Sequence, residues 1–197
     1  TEWLNLMNEL AQGIYEFENV LHIDTCNFII EKIKPYLQPG EPGIFGALGT
    51  VDKRQLESYS DTDPSYNICL DIFNKVFIYM EKIVSDIYQE QHYLKQTYFS
   101  HMEKGGSNPI HIDNHYHLGE DRWAEREGFG KDKSCILYLN DGYSGGELNF
   151  IEQNLIIKPK VGSVITFEGN YTRPHQVVEV KDGERYNMIT FLGPQND

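Results

Sequence analysis

The stretch Pro109-Ile110-His111-Ile112-Asp113 decides how the rest of the chain is interpreted, because it has the form of half a metal site. Successive side chains of an extended strand alternate between its two faces, so His111 and Asp113 are expected to point to the same side. A divalent metal needs a further protein ligand, and His175 offers one at the start of the alternating segment 175–180, which predicts another strand. Two histidines and one carboxylate on one face, with the remaining positions open, are the ligand set of a facial Fe(II) triad.

A second copy of the same pattern, His22-Ile23-Asp24, has a different interpretation. It is followed by apolar residues at helical spacing over 25–33, so Asp24 is predicted to be a helix N-cap and His22 to have no ligand role. Taken alone, His111 would also be an ordinary polar strand residue. The rest of the chain favours a metal ligand at His111.

The composition is typical of one globular domain. The chain has 197 residues, of which 40% are hydrophobic, enough to bury a core. It contains no apolar run of the roughly 18 or more residues that a membrane helix requires, and its first ten residues do not resemble a signal peptide. Three cysteines without a CxxC motif predict free thiols in a reducing compartment. We therefore expect a cytoplasmic protein with no membrane association.

The charge balance argues against a nucleic-acid partner. The formal net charge is −13, which produces a field that repels phosphate backbones. An excess of acidic side chains commonly serves solubility. The alternative is a preference for a basic or neutral polypeptide substrate.

The first half of the sequence predicts helices separated by irregular chain. The patterns predict a helix over 3–12, a short strand over 15–21 and a helix over 25–36, and then a Gly- and Pro-rich connection over 38–66. In that connection we expect an edge strand at 43–51, with the remainder mobile. A long helix is predicted from Asp63-Pro64 to about residue 89, with a buried stripe formed by Ile68, Ile72, Val76, Tyr79, Ile83 and Ile87.

The second half has the period of two that is typical of strands. The predicted strands cover 94–103, 134–140, 147–151, 155–158, 164–167, 175–180 and 185–192. Helices followed by short antiparallel strands predict an α+β, mainly β fold, namely a jelly roll or double-stranded β-helix with N-terminal supporting helices. We expect a single domain over 1–197, with helical support in about 1–90 and the catalytic jelly roll in about 91–193.

Arg185 follows a predicted turn, Lys181-Asp182-Gly183-Glu184, whose Asp-Gly pair is a hairpin signal. This predicts that Arg185 begins a strand antiparallel to the strand carrying His175. Arg185 would then share one face with Asn187, Ile189 and Phe191. If that face lies inside the fold, the guanidinium needs a carboxylate, which comes either from an internal Asp or Glu or from an anionic cosubstrate.

A family resemblance rests on the order of these residues. The sequence has His111-x-Asp113, then Tyr138, Gly145-Gly146-Glu147-Leu148, His175 and Arg185-Tyr186. This order resembles the 2-oxoglutarate- and Fe(II)-dependent oxygenases of the prolyl 4-hydroxylase type over about 15–192, with specific motifs from residue 98 onward. The resemblance is closest to compact bacterial, viral and oxygen-sensing prolyl hydroxylases. The secreted collagen enzymes usually have a lysine where this chain has Arg185.

The resemblance implies a set of site residues. His111, Asp113 and His175 would bind Fe²⁺, while Arg185 and Tyr138 would bind the far carboxylate of 2-oxoglutarate.

The chain departs from the family pattern ten residues before the first iron ligand. Relatives often carry a tyrosine there, near the cosubstrate, whereas this chain has His101, with Tyr98 close by. Which of the two lines the site is left open at this point.

The implied activity is hydroxylation of a prolyl residue in a peptide or protein, with consumption of O₂ and release of succinate and CO₂. The resemblance also implies ascorbate as an accessory cofactor. A free amino acid or another small metabolite is an alternative substrate, which would favour a closed pocket over an open groove. A third hypothesis, from a different class, is a non-catalytic metal-binding jelly roll.

The segment after the metal motif contains two more histidines, His115 and His117. We do not expect them to be primary ligands, because the chain becomes charged and Gly-rich at 119–133. That segment, which includes Trp123 and Phe129, is predicted to form a loop at the mouth of the site. It would be a lid, a substrate contact or an ordinary exposed loop.

Overall fold

The computed structural model describes residues 7–39, 48–52, 65–120 and 122–194. Within them lie helix α1 (Ile23–Ile33), a 3-10 helix (Lys34–Tyr36) and helix α2 (Ser65–Tyr88). The strands are β1 (Met7–Ala11), β2 (Ile14–Phe17), β3 (Gln38–Pro39), β4 (Leu48–Asp52), β5 (Tyr93–Met102), β6 (Asn108–His111), β7 (His115–Gly119), β8 (Arg122–Glu125), β9 (Lys133–Tyr138), β10 (Ser144–Gly145), β11 (Leu148–Phe150), β12 (Leu155–Ile157), β13 (Val164–Glu168), β14 (His175–Val177), β15 (Val180–Asp182) and β16 (Arg185–Gly193).

Two antiparallel sheets form the jelly roll. The large sheet has eight strands in the order β1-β2-β13-β9-β16-β5-β4-β3, and the small sheet has four in the order β12-β11-β14-β6. Apolar side chains from both sheets form one core cluster, in which Phe150 of the small sheet meets Phe167 of the large sheet edge to face at 4.8 Å. The predicted fold class, a mainly β jelly roll with supporting helices, is confirmed.

The opposite face of the large sheet is covered by the helices. A second core cluster joins Ile29 of α1 and Phe73 of α2 to Phe99 of β5 and Leu137 of β9. All six residues of β9 are buried, because this central strand is covered on both of its faces. The large sheet therefore separates a helix-packed side from a side that faces the small sheet.

The predicted opening helix over 3–12 is wrong for the residues that the structure describes. Residues Met7–Ala11 form β1, which pairs antiparallel with β2, and Gly13 has a φ of 72° in the turn between them. Apolar side chains in this segment fit a helical stripe, but hydrogen bonding to β2 at the sheet edge determines the conformation. The region before residue 90 therefore supplies strands to the large sheet as well as helices.

The start of α1 corrects the predicted cap. His22 is the N-cap, and its Nδ1 accepts a hydrogen bond from the backbone N–H of Asp24 at 3.3 Å. Asp24 lies in the first turn instead, where its negative charge is favourable near the helix N-terminus. The interpretation of His22 as a residue without a ligand role agrees with its position at an exposed helix start.

The predicted edge strand at 43–51 corresponds to β4, which has later bounds and is not at the edge. It lies between β5 and the terminal strand β3. The rest of the predicted connection, and the predicted helix start at Asp63-Pro64, lie outside the described residues.

The buried face of α2 differs from the predicted stripe. Ile68 is 54% exposed, whereas the fully or nearly buried positions are Cys69, Phe73, Val76, Phe77, Met80, Ile83 and Val84. The helix is rotated so that its large aromatic residues face the sheet, and Phe73 packs against Phe99 with 4.7 Å between ring centroids. The predicted stripe was based on the spacing of apolar residues and ignored their size. The large aromatic rings decide which face of the helix is buried. No helix in the described ranges is both long enough and apolar enough to cross a membrane.

The predicted hairpin between the strands of His175 and Arg185 is also wrong. β14, which carries His175, pairs with β11 and β6 in the small sheet, whereas β16 pairs with β5 and β9 in the large one. The chain between them forms β15, which pairs with β10. His175 and Arg185 therefore face each other from different sheets.

A pair of substitutions in α2 tests its orientation. We expect Ile83→Ala to lower the free energy of unfolding by about 2–5 kcal/mol, because Ile83 is 3% exposed and its removal leaves a cavity. Ile68→Ala, on the exposed side of the same helix, should change it by only about 0.5 kcal/mol. Urea denaturation of both variants measures the difference, and equal losses would contradict the described rotation of the helix.

Candidate active site

The small sheet brings two histidines together. β6 and β14 are antiparallel neighbours in which His111 and His175 are directly paired, and their ring centroids lie 4.2 Å apart. Asp113 follows β6 in a turn, so it does not reach the site by strand alternation. Its Oδ1 lies 3.3 Å from Nε2 of His111 and 3.7 Å from Nε2 of His175. The structure thus brings the three predicted ligands to one point.

The turn that carries Asp113 is held by Asn114, which is 1% exposed. The backbone N–H of Asn114 donates to the carbonyl of Gly169 at 2.8 Å, and its side-chain amide donates to the carbonyl of Asp132 at 3.1 Å. These bonds end the strand after His111 and fix the direction of the next residues. His115 and His117 therefore lie on a separate strand, β7, and not in line with His111.

Backbone carbonyls orient both imidazole rings. Nδ1 of His111 lies 2.8 Å from the carbonyl oxygen of Pro109, and Nδ1 of His175 lies 2.9 Å from that of Arg173. A carbonyl only accepts hydrogen bonds, so in the neutral rings each Nδ1 carries the proton and each Nε2 has a free lone pair. Both lone pairs are then available to a metal ion.

Asp113 is held ionised although it is buried. Burial alone would raise its pKa, but the interaction with His175 and the hydrogen bonds from His111 and Ser134 outweigh this and hold the pKa well below its usual range. The hydroxyl of Ser134 donates to Oδ2 at 2.5 Å, which leaves Oδ1 facing the histidines. Ser134 was not predicted from the sequence, because a serine on a strand carries no distinctive signal.

The donor set fits a divalent metal such as Fe²⁺. Burial, together with the charge of His111, lowers the pKa of His175 to about 4, so this ring is neutral at physiological pH. Burial would lower the pKa of His111, but the hydrogen bond to Asp113 and the charge of that carboxylate outweigh it and raise this pKa, so a metal that binds Nε2 displaces a proton. Two imidazoles and one carboxylate then match the facial triad and leave further coordination positions for other ligands. The described residues contain only one other comparable group, formed by His101, Glu103 and Glu184.

Arg185 lies on the inner face of β16, in the same small cavity as the three residues above. It is 1% exposed, donates to Oδ1 of Asn187 at 2.7 Å and contacts the hydroxyl of Tyr138 at 3.4 Å. No carboxylate in the described part of the chain is paired with this guanidinium, so the internal Asp or Glu considered from the sequence is not found there. A buried arginine without an anion is costly unless a ligand supplies one.

The surroundings of Arg185 contain further unpaired donors. Nε of Arg185, the side-chain amide nitrogen of Asn187 and the hydroxyl of Tyr143 are buried without hydrogen-bond partners. A Cβ added at Gly146, whose φ is 68°, would lie 3.0 Å from the Tyr143 ring and 3.1 Å from Arg185, so only glycine allows this close approach. Several donors converging on one place fit a ligand rich in anionic oxygen, such as a carboxylate. Asn187 and Tyr143 received no role from the sequence.

Tyr98 and His101 lie on opposite faces of β5. Tyr98 lines the cavity with Arg185, and burial, with the charge of Asp113, raises its pKa above the usual range, so its hydroxyl stays protonated. His101 is instead stacked on Tyr186, with 4.4 Å between centroids and 2° between ring planes. Of the two residues between which the sequence left the choice open, the structure therefore brings Tyr98 to the cavity and places His101 on the opposite face of β5.

A wider cleft of about 590 Å³ opens beside the three candidate metal ligands. Its outer wall is the hairpin of β7 and β8, which takes the place of the first part of the loop predicted for 119–133, whereas residues 126–132 form turns as expected of a loop. The rings of His117 and Trp123 lie 4.6 Å apart on this hairpin, and Tyr116 is 58% exposed. Arg126 ties the hairpin to the site, since it donates to the carbonyl of Asp113 at 3.1 Å. The predicted position at the mouth of the site agrees with the structure, although the segment is a hairpin.

Residues 97–193 match the 2OG-Fe(II) oxygenase superfamily. The chain is 38% identical over 87 residues to human prolyl 3-hydroxylase 2; the match covers 40% of this chain and only 12% of that protein. Its fold is similar to viral collagen prolyl hydroxylase from Paramecium bursaria Chlorella virus-1 (TM-score 0.65, 17% identity, 92% of this chain and 96% of that one). It is also similar to HygX from Streptomyces hygroscopicus with nickel, 2-oxoglutarate and hygromycin B bound (TM-score 0.62, 14% identity, 99% and 87%).

The matched segment contains both sheets' central strands and every residue of the candidate site. The resemblance to 2OG-Fe(II) oxygenases stated from the sequence is therefore confirmed over residues 97–193. The chain spans about 12% of the length of the mammalian relative that it matches, so the relative's own activity is not transferred by the match alone.

Removing the Ser134 hydroxyl tests whether its hydrogen bond to Asp113 contributes to metal binding. We expect Ser134→Ala to weaken binding of Fe²⁺ or Co²⁺ by about 10–100-fold, because Asp113 loses the hydrogen bond that orients it. Anaerobic titration of the metal-free protein measures the affinity.

The matched control is Ser163→Ala. Ser163 is also fully buried, and its hydroxyl donates to the carbonyl of Lys160. This variant should bind metal as the wild type does. Equal affinities in all three proteins would show that the bond from Ser134 has no role in metal binding.

Proposed function

We propose that the chain is a 2-oxoglutarate- and Fe(II)-dependent dioxygenase that hydroxylates a prolyl residue in a peptide or protein, with release of succinate and CO₂. The observation that carries the proposal is one cavity with two ends. At one end are His111, Asp113 and His175, and at the other is Arg185 without an internal anion. A dicarboxylic keto acid has the two groups that such a cavity would bind.

In this proposal the ligand residues position the metal. Nε2 of His111, Nε2 of His175 and Oδ1 of Asp113 bind Fe²⁺ on one side, since their other ring nitrogens and Oδ2 are already hydrogen-bonded. Bound Fe²⁺ and 2-oxoglutarate supply the oxidising chemistry, in which the keto acid is decarboxylated and O₂ provides the oxygen atom that enters the substrate. The buried cavity excludes water from that chemistry.

Arg185 and its neighbours bind the far carboxylate of the cosubstrate. The guanidinium supplies the countercharge. Burial raises the pKa of Tyr138 above its usual range, so its hydroxyl remains a donor to the same carboxylate. The amide of Asn187 and the hydroxyl of Tyr143 are further buried donors on this side. Because a carboxylate accepts several hydrogen bonds at once, it would satisfy groups that are otherwise unpaired.

The cleft outside the metal residues supports a peptide or protein substrate. It is open to solvent, and exposed apolar side chains lie along its rim at Ile110 and Tyr116. Aromatic rings such as Trp123 and Tyr116 offer flat apolar faces on which a pyrrolidine ring packs. The net charge of −13 favours a basic or neutral segment. Whether carbon 3 or carbon 4 of the prolyl ring reacts is decided by the substrate pose.

A small-molecule substrate is the second candidate. It is supported by the similarity in fold to HygX, whose structure contains bound hygromycin B. That structural similarity extends over 99% of this chain. Under this alternative, the β7–β8 hairpin would close over the cleft. A metal-binding jelly roll without activity is the third candidate.

We also propose a reducing, cytoplasmic location, and ascorbate as an accessory reductant that restores the ferrous state. The location is supported by Cys26, Cys69 and Cys135, which are all buried and form no disulfide within the described part of the chain.

Substitution of Arg185 tests the cosubstrate site. We expect Arg185→Ala to weaken 2-oxoglutarate binding by about two to four orders of magnitude, because breaking a buried ion pair costs about 3–5 kcal/mol. Metal binding should persist, since Arg185 does not contact the ligand residues. Isothermal titration with 2-oxoglutarate and, separately, with Co²⁺ measures both affinities. An unchanged 2-oxoglutarate affinity would refute the assigned role.

Mass spectrometry identifies the substrate class. We expect that a mixture of proline-containing peptides, incubated with the protein, Fe(II) and 2-oxoglutarate, gains one oxygen atom on prolyl residues while succinate accumulates. The matched control is the same reaction with His175→Ala, which should yield neither product. Oxygen gain only on free amino acids or other small molecules would replace the proposal by its second candidate. Failure to form succinate with any substrate would favour the non-catalytic one.

A further inference from the structure

A second cluster of potential ligands lies on the helix-packed side of the large sheet. It consists of His101 at the end of β5, Glu103 just after it and Glu184 just before β16. One ligand atom from each residue lies within 4.8 Å of the other two. Arg185 and Tyr98 face the opposite side of these same strands, so the cluster is separate from the candidate active site.

His101 directs an unpaired nitrogen into this cluster. Its side chain is 10% exposed, and Nε2 is buried without a hydrogen-bond partner, 3.4 Å from Oε1 of Glu184. Stacking on Tyr186 fixes the plane of the ring. Burial lowers the pKa of His101, so at neutral pH the imidazole is uncharged and does not form an ion pair with Glu184. A buried nitrogen in this position needs another partner.

The two glutamates bring like charges together. β5 and β16 are paired with Met102 opposite Arg185, and Glu103 and Glu184 are the next residues along the two chains. Adjacent carboxylates on neighbouring strands repel each other unless a cation lies between them. Lys34 and the Tyr186 hydroxyl compensate only Oε2 of Glu184, at 2.7 and 3.0 Å. Oε1 of Glu184 remains directed toward His101.

We propose that His101, Glu103 and Glu184 form a second divalent-cation site, independent of the catalytic metal. One imidazole and two carboxylates, with a position left for water, suit Zn²⁺, whose bonds to nitrogen and oxygen are about 2.0–2.2 Å long. In a tetrahedral site such bonds place neighbouring donor atoms about 3.3–3.5 Å apart. The distance of 3.4 Å from Nε2 to Oε1 agrees with this arrangement. An imidazole ligand disfavours Mg²⁺ and Ca²⁺, which prefer oxygen.

The cation would join the strand ends on which the cosubstrate pocket depends. Glu184 directly precedes Arg185, and the side-chain amide of Asn140 donates to the Glu184 carbonyl at 2.7 Å. A metal that holds Glu184 and Glu103 together would fix the first residue of β16 against β5. The site is thus a structural clamp at the edge of the active-site cavity.

Zinc titration in a protein without the catalytic ligands tests the proposal. In the background His111→Ala/His175→Ala, we expect one Zn²⁺ to bind per chain, measured by isothermal titration and by metal analysis after gel filtration. Adding Glu103→Gln, an exposed position that should not affect folding, is expected to weaken this binding by about tenfold or more. His101→Ala should abolish it, provided that circular dichroism shows a folded protein.

The matched control is Glu31→Gln, which removes one exposed carboxylate of α1 that is not among the three proposed ligands. It should leave the zinc affinity unchanged. The proposal is overturned if the double-variant background binds no Zn²⁺, or if Glu103→Gln and Glu31→Gln bind it with equal affinity. Because the candidate catalytic ligands are absent from every variant in this experiment, either result concerns the second site alone and does not bear on the proposed oxygenase activity.

Discussion

The pairing of two imidazoles across neighbouring strands is the constraint on which the rest of the site depends. His111 and His175 are partners in the register of β6 and β14, and carbonyls of Pro109 and Arg173 hold their Nδ1 atoms. The ring positions are therefore set by backbone hydrogen bonds of the small sheet. Asp113 needs only a short turn to join them, and the buried side chain of Asn114 holds that turn. A metal would find its donor atoms already oriented, which lowers the entropic cost of binding.

The large sheet divides the molecule into two chemical environments. One face carries the helix-packed core, and the other faces the small sheet, where Arg185 and the three candidate metal ligands lie. Because successive side chains of a strand point to opposite faces of the sheet, neighbouring residues lie in different environments. Arg185 enters the cavity, whereas Tyr186 stacks on His101 on the other side. The same two strands can thus serve a cosubstrate on one face and the proposed structural cation on the other.

Sequence patterns predicted the parts of the site that depend on chain order. The HxD motif, the distant His175 and the buried Arg185 were found because their spacing and flanking strands are distinctive. Ser134 and Tyr143 were not found, since their roles arise from contacts between distant strands. The choice between Tyr98 and His101 required the register of β5 against β16, which no local pattern contains. The helix predicted over 3–12 is wrong for a similar reason. Residues 7–11 pair with β2, and this contact with another strand overrides their helical apolar spacing.

The central claim is that one metal and one dicarboxylic acid are held together between these two sheets. Anaerobic crystals soaked with Fe²⁺ and 2-oxoglutarate, with anomalous scattering recorded at the iron edge, test it most directly. The account predicts an iron peak bound by Nε2 of His111, Nε2 of His175 and a carboxylate oxygen of Asp113, with the far carboxylate of 2-oxoglutarate on Arg185. An iron peak away from these three side chains, or a cosubstrate carboxylate that does not contact Arg185, would contradict it.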